Sequence, residues 1–163
     1  MYRLLALDIS STVGVARLQR GTRARFSTLV LEGPDLTFKC GQLLDWLDDT
    51  YATEPFDALA WERPLLTPTD TVDLLELLYG AVGVCYAFIG SLRARGTTIA
   101  WHEVDVPTAK KALTGKAKAT KDEMLYAARR TANWEVHNHH EADAGAVGVV
   151  ADAVIWPKAR AAA

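Results

Sequence analysis

Apolar residues run almost unbroken through Leu4-Leu5-Ala6-Leu7, and after Asp8 and a short polar stretch they resume at Val13, Val15 and Ala16. An uninterrupted apolar run predicts a strand covered on both faces, at the centre of a sheet with helices packed on either side. Asp8 breaks the run. A buried, unpaired carboxylate costs several kcal/mol, so Asp8 either meets a cation or caps the tight turn made by Ser10, Ser11 and Thr12. Gly14 leads a second strand to Leu18, Gln19-Arg20-Gly21-Thr22 makes a hairpin turn, and Arg25 to Leu31 returns with alternating polarity. The chain therefore begins as an antiparallel meander.

Gly33-Pro34-Asp35 ends the meander. Asp35 or Thr37 caps a helix to about Tyr51, with Leu36, Cys40, Leu43, Leu44 and Leu47 on one face. A short apolar strand, residues 56–62, finishes on Glu62, and Pro64 forbids its continuation. A loop from Arg63 to Thr69 leads into a long helix over residues 71–95, capped by Asp70 or Thr71. That helix is apolar nearly all round, which suits a subunit interface and a monomer's core helix equally. A strand follows at 97–101, then a short helix opened by Val106-Pro107 and ended by Gly115. A helix over 120–131, a polar turn at 137–141 and a helix over 140–156, stopped by Pro157, complete the pattern. A meander followed by crossovers predicts an α/β fold: a mixed five-stranded sheet, antiparallel then parallel, flanked by helices on both faces. Residues 1–157 are expected to form a single domain, with 158–163 a short C-terminal tail.

Composition sets bounds. The 163 residues are 50% hydrophobic and 23% charged, ordinary for a soluble globular protein. A net charge of −2 argues neither for nor against a nucleic-acid partner, because the local field decides. Cys40 and Cys85 lack metal-like spacing and suit buried apolar positions in a reducing compartment. The apolar window Leu74 to Ile89 is short for a membrane span and contains Glu76. With a strand starting at residue 2 there is no room for a signal peptide. A cytoplasmic location without a membrane partner is the expectation.

Three features carry chemistry. The first is Asp8, Glu62 and Asp143. The strands ending at Asp8 and Glu62 can lie adjacent and parallel, joined by a right-handed crossover, so both acids project from one end of the sheet. Asp143 sits in the first turn of the last helix, three residues after His140, so both can face the same point. Singly, each acid suits a cap or a strand end. Crowded together they repel unless divalent cations neutralise them. Oxygen-rich ligation favours Mg²⁺ or Mn²⁺, and two such ions roughly 4 Å apart form the usual clamp for in-line attack on a phosphodiester. Glu141 and Asp152 are predicted to face solvent or cap. The second feature, Lys110 to Lys121, holds five lysines and no acid, suited to approach phosphates or to form a solvated basic loop. It is not a Walker A loop, since the upstream Gly is missing. The third is His137, His139 and His140. Their spacing does not close easily on one zinc ion; one is expected to be functional and the others to lie at the surface.

The run Val106-Pro107-Thr108-Ala109-Lys110-Lys111-Ala112-Leu113-Thr114-Gly115-Lys116-Ala117-Lys118-Ala119-Thr120-Lys121 resembles the basic signature of the RuvC family of Holliday-junction resolvases, within the ribonuclease H-like fold. His140-Glu141-Ala142-Asp143-Ala144 resembles that family's segment with the last two metal ligands, and the order and spacing of Asp8 and Glu62 agree across nearly the whole chain. The resemblance implies a homodimer built on the long helix and a Mg²⁺-dependent enzyme with two ions per site. It also implies paired nicks across a four-way DNA junction that leave 5′-phosphate ends. Asp8 would bridge both ions, Glu62 would hold one, and Asp143 with His140 the other; His140 stands where some members have Asp, as ligand or as water-activating base. Lys110, Lys111, Lys116 and Lys118 would face phosphates, Lys118 near the scissile one, with Lys121 and Arg63 on the same DNA surface.

There are departures from the family. Ile9-Ser10-Ser11-Thr12 replaces the usual Pro-Gly and looks more like phage and viral members. Arg63-Pro64-Leu65-Leu66 offers aliphatics, Leu65 first, where the family often has an aromatic wedge; an aliphatic wedge still unstacks a base step. This widens the expected substrates to branched DNA in general, with an RNA–DNA hybrid nuclease of the same fold as the closest rival. A non-catalytic junction-binding subunit has no reason to keep three mutually repelling carboxylates. Asp8-x-x-x-Thr12-x-Gly14 also resembles the first phosphate loop of sugar-kinase and actin-like ATPases, but those need two such domains and a second phosphate loop.

Overall fold

The structure, a computed structural model, describes residues 2–65, 68 and 70–157. Five strands, β1 (Arg3–Asp8), β2 (Thr12–Gln19), β3 (Arg25–Val30), β4 (Ala58–Glu62) and β5 (Ala100–Val104), lie in the order β3-β2-β1-β4-β5. β1, β2 and β3 pair antiparallel; β1 with β4 and β4 with β5 pair parallel. The mixed sheet predicted from the meander and crossovers is the one observed. Five α-helices flank it: α1 (Leu36–Thr53), α2 (Val72–Ala94), α3 (Val106–Thr114), α4 (Lys121–Tyr126) and α5 (His139–Ile155). The 158–163 tail expected from the sequence lies outside the described residues.

The sheet's two faces differ in the size of their side chains, and this difference places the helices. On one face Leu5, Leu7, Val13, Val15, Leu59 and Trp61 pack beneath α1 and α2, meeting Leu43, Leu47, Phe88 and Ile89. On the other, Leu4, Ala6, Ala16, Ala58 and Ala60 make a floor of mostly small residues beneath Ala144, Val147 and Ala151 of α5. Small floor and small helix face allow a short interaxial distance. A Cβ built on Gly14 would lie 2.0 Å from the backbone oxygen of His140, and one on Gly145 would lie 2.4 Å from the Trp134 ring. The first turn of α5 therefore rests directly on the backbone of β2, opposite Asp8, which is the register partner of Gly14.

Local signals set most of the helix boundaries. Asp35 accepts from the Phe38 amide, Thr71 from Leu74 and Asn138 from Glu141. Gly115, at φ 78°, closes α3 in the left-handed region, and Thr120 with Glu123 forms a capping box at α4.

Two elements differ from expectation. β5 runs over Ala100–Val104 rather than 97–101, because pairing with β4 aligns Ala58 with Ala100 and Glu62 with Val104. As an edge strand it tolerates the polar His102 and Glu103, which hid it. The helix predicted over 120–131 is α only to Tyr126; Ala127–Thr131 then widens to a π-helical turn, with the Ala132 amide bonding the Ala127 carbonyl. Arg129 uses that widening to donate from Nε to the carbonyl of Val136 and from Nη2 to that of His137, both at 2.9 Å, tying down the approach to α5.

α2 buries Leu77, Ala81, Cys85, Phe88, Ile89 and Leu92 against the core and leaves Val72, Tyr79, Gly83, Tyr86, Ala87 and Gly90 exposed. The helix has 23 residues and is apolar enough to cross a membrane by length and composition alone, so it is longer than the apolar window first suggested. Its inner face, however, belongs to the core.

The Gly14 contact gives a direct test. Gly14→Ala is expected to destabilise the fold by roughly 3 kcal/mol, the upper end for overpacking, because its Cβ meets backbone and not a side chain that can turn away. Chemical denaturation checks this, and an unchanged midpoint would show that α5 sits further from β2.

Candidate active site

Side chains two residues apart on a strand share a face. Ala6 and Ala60 point toward α5, so Asp8 and Glu62 do as well, at the carboxyl ends of two adjacent parallel strands aligned Leu7 with Trp61. Above them the N-terminal end of α5 carries His140 in its first turn and Asp143 at the start of its second. Asp8 is only 8% exposed, and its Oδ2 lies 3.0 Å from His140 Nδ1. These groups line a cleft of about 250 Å³, with Lys110 of α3, Lys121 of α4, Ser10 and His139 on its walls. Crossover topology thus brings together all four residues expected to be catalytic. At the opposite end of the sheet Arg3, Arg17, Arg23 and Arg25 surround Glu54 around only about 30 Å³, room for little more than a water.

The electrostatics follow from crowding. Burial, then Asp8 and Asp143, push the Glu62 carboxyl up to about 8, with Lys110 opposing. Burial and then Asp8 raise Asp143 to about 7, opposed by Lys110, His140 and Lys121. One oxygen of Asp143, Oδ1, is buried with no hydrogen-bond partner, a costly condition for a carboxylate. Burial, His140 and Lys121 lower the pKa of His139. The site is thus short of positive charge, and its donors are carboxylate oxygens and imidazole, a set that fits Mg²⁺ or Mn²⁺. Among the described residues no three His, Cys, Asp or Glu side chains converge closely enough to form a finished metal site. The acids are gathered but not closed around a point.

The basic residues divide. Lys110 and Lys121 line the cleft, whereas Lys118 is exposed on the loop before α4 and Lys111 lines a shallow depression beside Pro107. Lys116 pairs with Glu123 at 2.6 Å. Arg63 leans back onto Glu103 and Asp105, and Leu65 is 57% exposed.

One expectation needs correction, and another resolves to one of its two alternatives. His139, expected at the surface, is half-buried in the cleft: its ring lies tilted against that of His140 with centroids 4.1 Å apart, and Nε2 is 3.4 Å from Lys121 Nζ. Glu141, expected to face solvent or cap, is a buried cap and accepts from the His137 amide at 2.6 Å. The Asn138-x-x-Glu141 spacing is a capping signature that could have placed it. Asp152 is half-buried in an ion pair with Arg20 at 3.1 Å. His137 is exposed, as expected.

No family model matches the sequence, and no curated protein sequence matches it either. Solved structures do match. The Thermus thermophilus RuvC structure superposes with a TM-score of 0.69 at 16% identity, covering 94% of this chain and 96% of that one. T. thermophilus RuvC in complex with a Holliday junction substrate gives 0.69 and 16%, covering 91% and 92%. The yeast mitochondrial Holliday junction resolvase Ydc2 gives 0.64 at 9% identity, covering 91% of this chain and 76% of that one. The chain has the RuvC-like, ribonuclease H-type fold.

The raised carboxyls make stability pH-dependent. An acid whose pKa is higher folded than unfolded stabilises fully below its ordinary value, near 4.5 for Glu62, and that contribution is lost as pH rises through about 8. Glu62→Gln removes this loss. The metal-free variant should match the wild type near pH 4.5 and gain on it toward pH 8, by roughly 1 kcal/mol per pH unit at the steepest. Parallel melting profiles across that range would show that Glu62 ionises freely in the fold.

Proposed function

We propose that this chain is a metal-dependent endonuclease that cuts branched DNA, the four-way junction above all, by hydrolysing phosphodiester bonds. The observation that carries this reading is the gathering of Asp8, Glu62 and Asp143, desolvated and mutually repelling, beneath Lys110 and Lys121. Asp8, Glu62, Asp143 and His140 would hold two Mg²⁺ ions, or Mn²⁺ in their place. When bound, such ions supply an activated water and neutralise charge at the phosphate.

The protein's own groups do the rest. Lys110 and Lys121 meet the phosphate oxygens on the wall of the cleft, and exposed Lys118 and Lys111 extend the basic surface along the backbone. Because His140 Nδ1 is engaged by Asp8, Nε2 is the nitrogen left to ligate or to move a proton. Water adds to phosphorus as the bond to O3′ breaks, leaving a 5′-phosphate and a 3′-hydroxyl that a ligase can reseal. Leu65, exposed and aliphatic where an aromatic wedge would stack, favours a range that includes forks as well as junctions.

Paired nicks need two sites, and the outer face of α2 supports a homodimer. Its exposed stripe is small and aromatic, Gly83 and Gly90 face open space, and Gly83 is the midpoint of Val72–Ala94. Two copies crossing antiparallel there would set the acidic end, Asp73 and Glu76, toward the partner's basic end at Arg93.

A Mg²⁺-dependent assay comparing a four-way junction with Y-forks, plain duplex and an RNA–DNA hybrid tests the activity. Symmetric, ligatable nicks at the junction are expected, with Asp8→Asn uncleaving yet binding as tightly as wild type; cleavage of the hybrid alone would assign the site to a different nuclease. Sedimentation should give a dimer, and Gly83→Arg a folded monomer, since the side chain enters open space within one subunit. A monomeric wild type at micromolar concentration would remove the basis for paired cuts.

A further inference from the structure

His139 belongs to none of the roles assigned above, yet it touches two of the groups that carry them. Its ring lies against that of His140 at 4.1 Å and 37°, on the wall of the same cleft. Its Nε2 stands 3.4 Å from Lys121 Nζ. Lys121 is the first residue of α4, after an exposed loop of Lys and Ala residues, and its flexible stem has many rotamers to choose from. His140 is the second residue of α5, and its Nδ1 meets Asp8. His139 therefore joins two elements, α4 and α5, at the point where one brings the cation and the other brings the ligands.

We propose that His139 is a positioning residue: its Nε2 receives the Lys121 ammonium and its ring backs that of His140, so that one side chain sets both the lysine and the His140–Asp8 contact. This rests on the nuclease reading for its consequence, but the contact itself does not. The chain of contacts is Lys121–His139–His140–Asp8, and removing its second member frees the first and unbacks the third. Supporting groups of this kind typically change activity by 10- to 100-fold without touching the substrate.

The side chain within hydrogen-bonding reach is His139, while the Asp143 carboxyl on the same cleft attracts the ammonium of Lys121 through space. Its nearest carboxyl neighbours in the chain, Asp122 and Glu123, lie on its own helix, and Glu123 is engaged by Lys116 and by the Thr120 amide. A lysine released by His139 has the phosphate-binding surface to wander over, and its charge would be spread instead of aimed.

The test compares His139→Ala, which removes both contacts, with His139→Gln, whose amide oxygen can still accept from Lys121. Two readouts are needed. In the metal-free protein the Lys121 ζ-nitrogen signal, followed by ¹⁵N NMR, should exchange slowly with solvent in the wild type and in His139→Gln, and rapidly in His139→Ala. In single-turnover cleavage of a four-way junction, His139→Ala should be about 10- to 100-fold slower at unchanged junction affinity and melting temperature. His139→Gln should recover the part of that loss that runs through Lys121, and His139→Ala with Lys121→Ala should lose less than the sum of the two single losses. Equal exchange in wild type and His139→Ala, or additive losses in the double variant, would overturn the proposal. A wild type that cuts no branched DNA would sink the nuclease reading, while the exchange measurement would still decide the contact.

Discussion

The structure depends on how closely the first turn of α5 approaches the backbone of β2. Gly14 leaves the space for the His140 carbonyl, and the Ala-rich floor of Ala6, Ala16, Ala58 and Ala60 lets the rest of the helix follow. A helix held a normal side chain's width further out would carry His140 away from Asp8 and Asp143 away from Glu62. The opposite face needs no such closeness, and there large side chains such as Trp61, Phe88, Leu43 and Leu47 fill the layer. Packing asymmetry across one sheet is thus what makes the difference between a structural face and a chemical one.

That closeness has an electrostatic cost which the fold meets only in part. Three carboxylates share a desolvated region, and Lys110 and Lys121 offset but do not cancel their repulsion, since Glu62 and Asp143 still hold protons well above the usual carboxylate range. Natural folds tolerate such conflict where it serves a site. The surroundings are correspondingly well braced. Arg129 binds the carbonyls of Val136 and His137, Glu141 binds the His137 amide, and Asn138 caps α5, so the segment entering the helix is fixed by side chains from three directions.

How much of this is legible in the sequence depends on whether one residue or a pairing carries the signal. The buried run of β1, the acid that ends it, the crossover to Glu62 and the three-residue step from His140 to Asp143 can each be read along the chain, and the structure has them in place. β5 was displaced because an edge strand is defined by its partner's register, and Trp101-His102-Glu103 has no period of its own. The π-helical turn leaves no trace in the run Ala127-Ala128-Arg129-Arg130, and the carbonyls of Val136 and His137 that Arg129 reaches lie beyond any spacing rule. His139 and Lys121 are eighteen positions apart, and no spacing rule connects them. The same limit separates Lys118 from Lys121: a run of lysines shows that a basic loop exists, and only the fold shows which of them turns inward.

The outer face of α2 and the cleft are not independent. Glu103 on β5 accepts from Trp61 Nε1 at 3.0 Å, hydrogen-bonds Tyr86 and pairs with Arg63 at 3.4 Å. Trp61 immediately precedes Glu62, Tyr86 is exposed on α2, and Arg63 opens the loop that carries Leu65. Trp101 stacks on Trp61 with an interplanar angle of 10° and meets Tyr86 edge-on. One carboxylate and three aromatic rings therefore join the helix face, the strand that ends in Glu62 and the loop beyond it into a packed unit. Anything that seats against Tyr86 would press on the ring of Trp61, the residue before Glu62, so the outer face of α2 and the cleft share a single packed support.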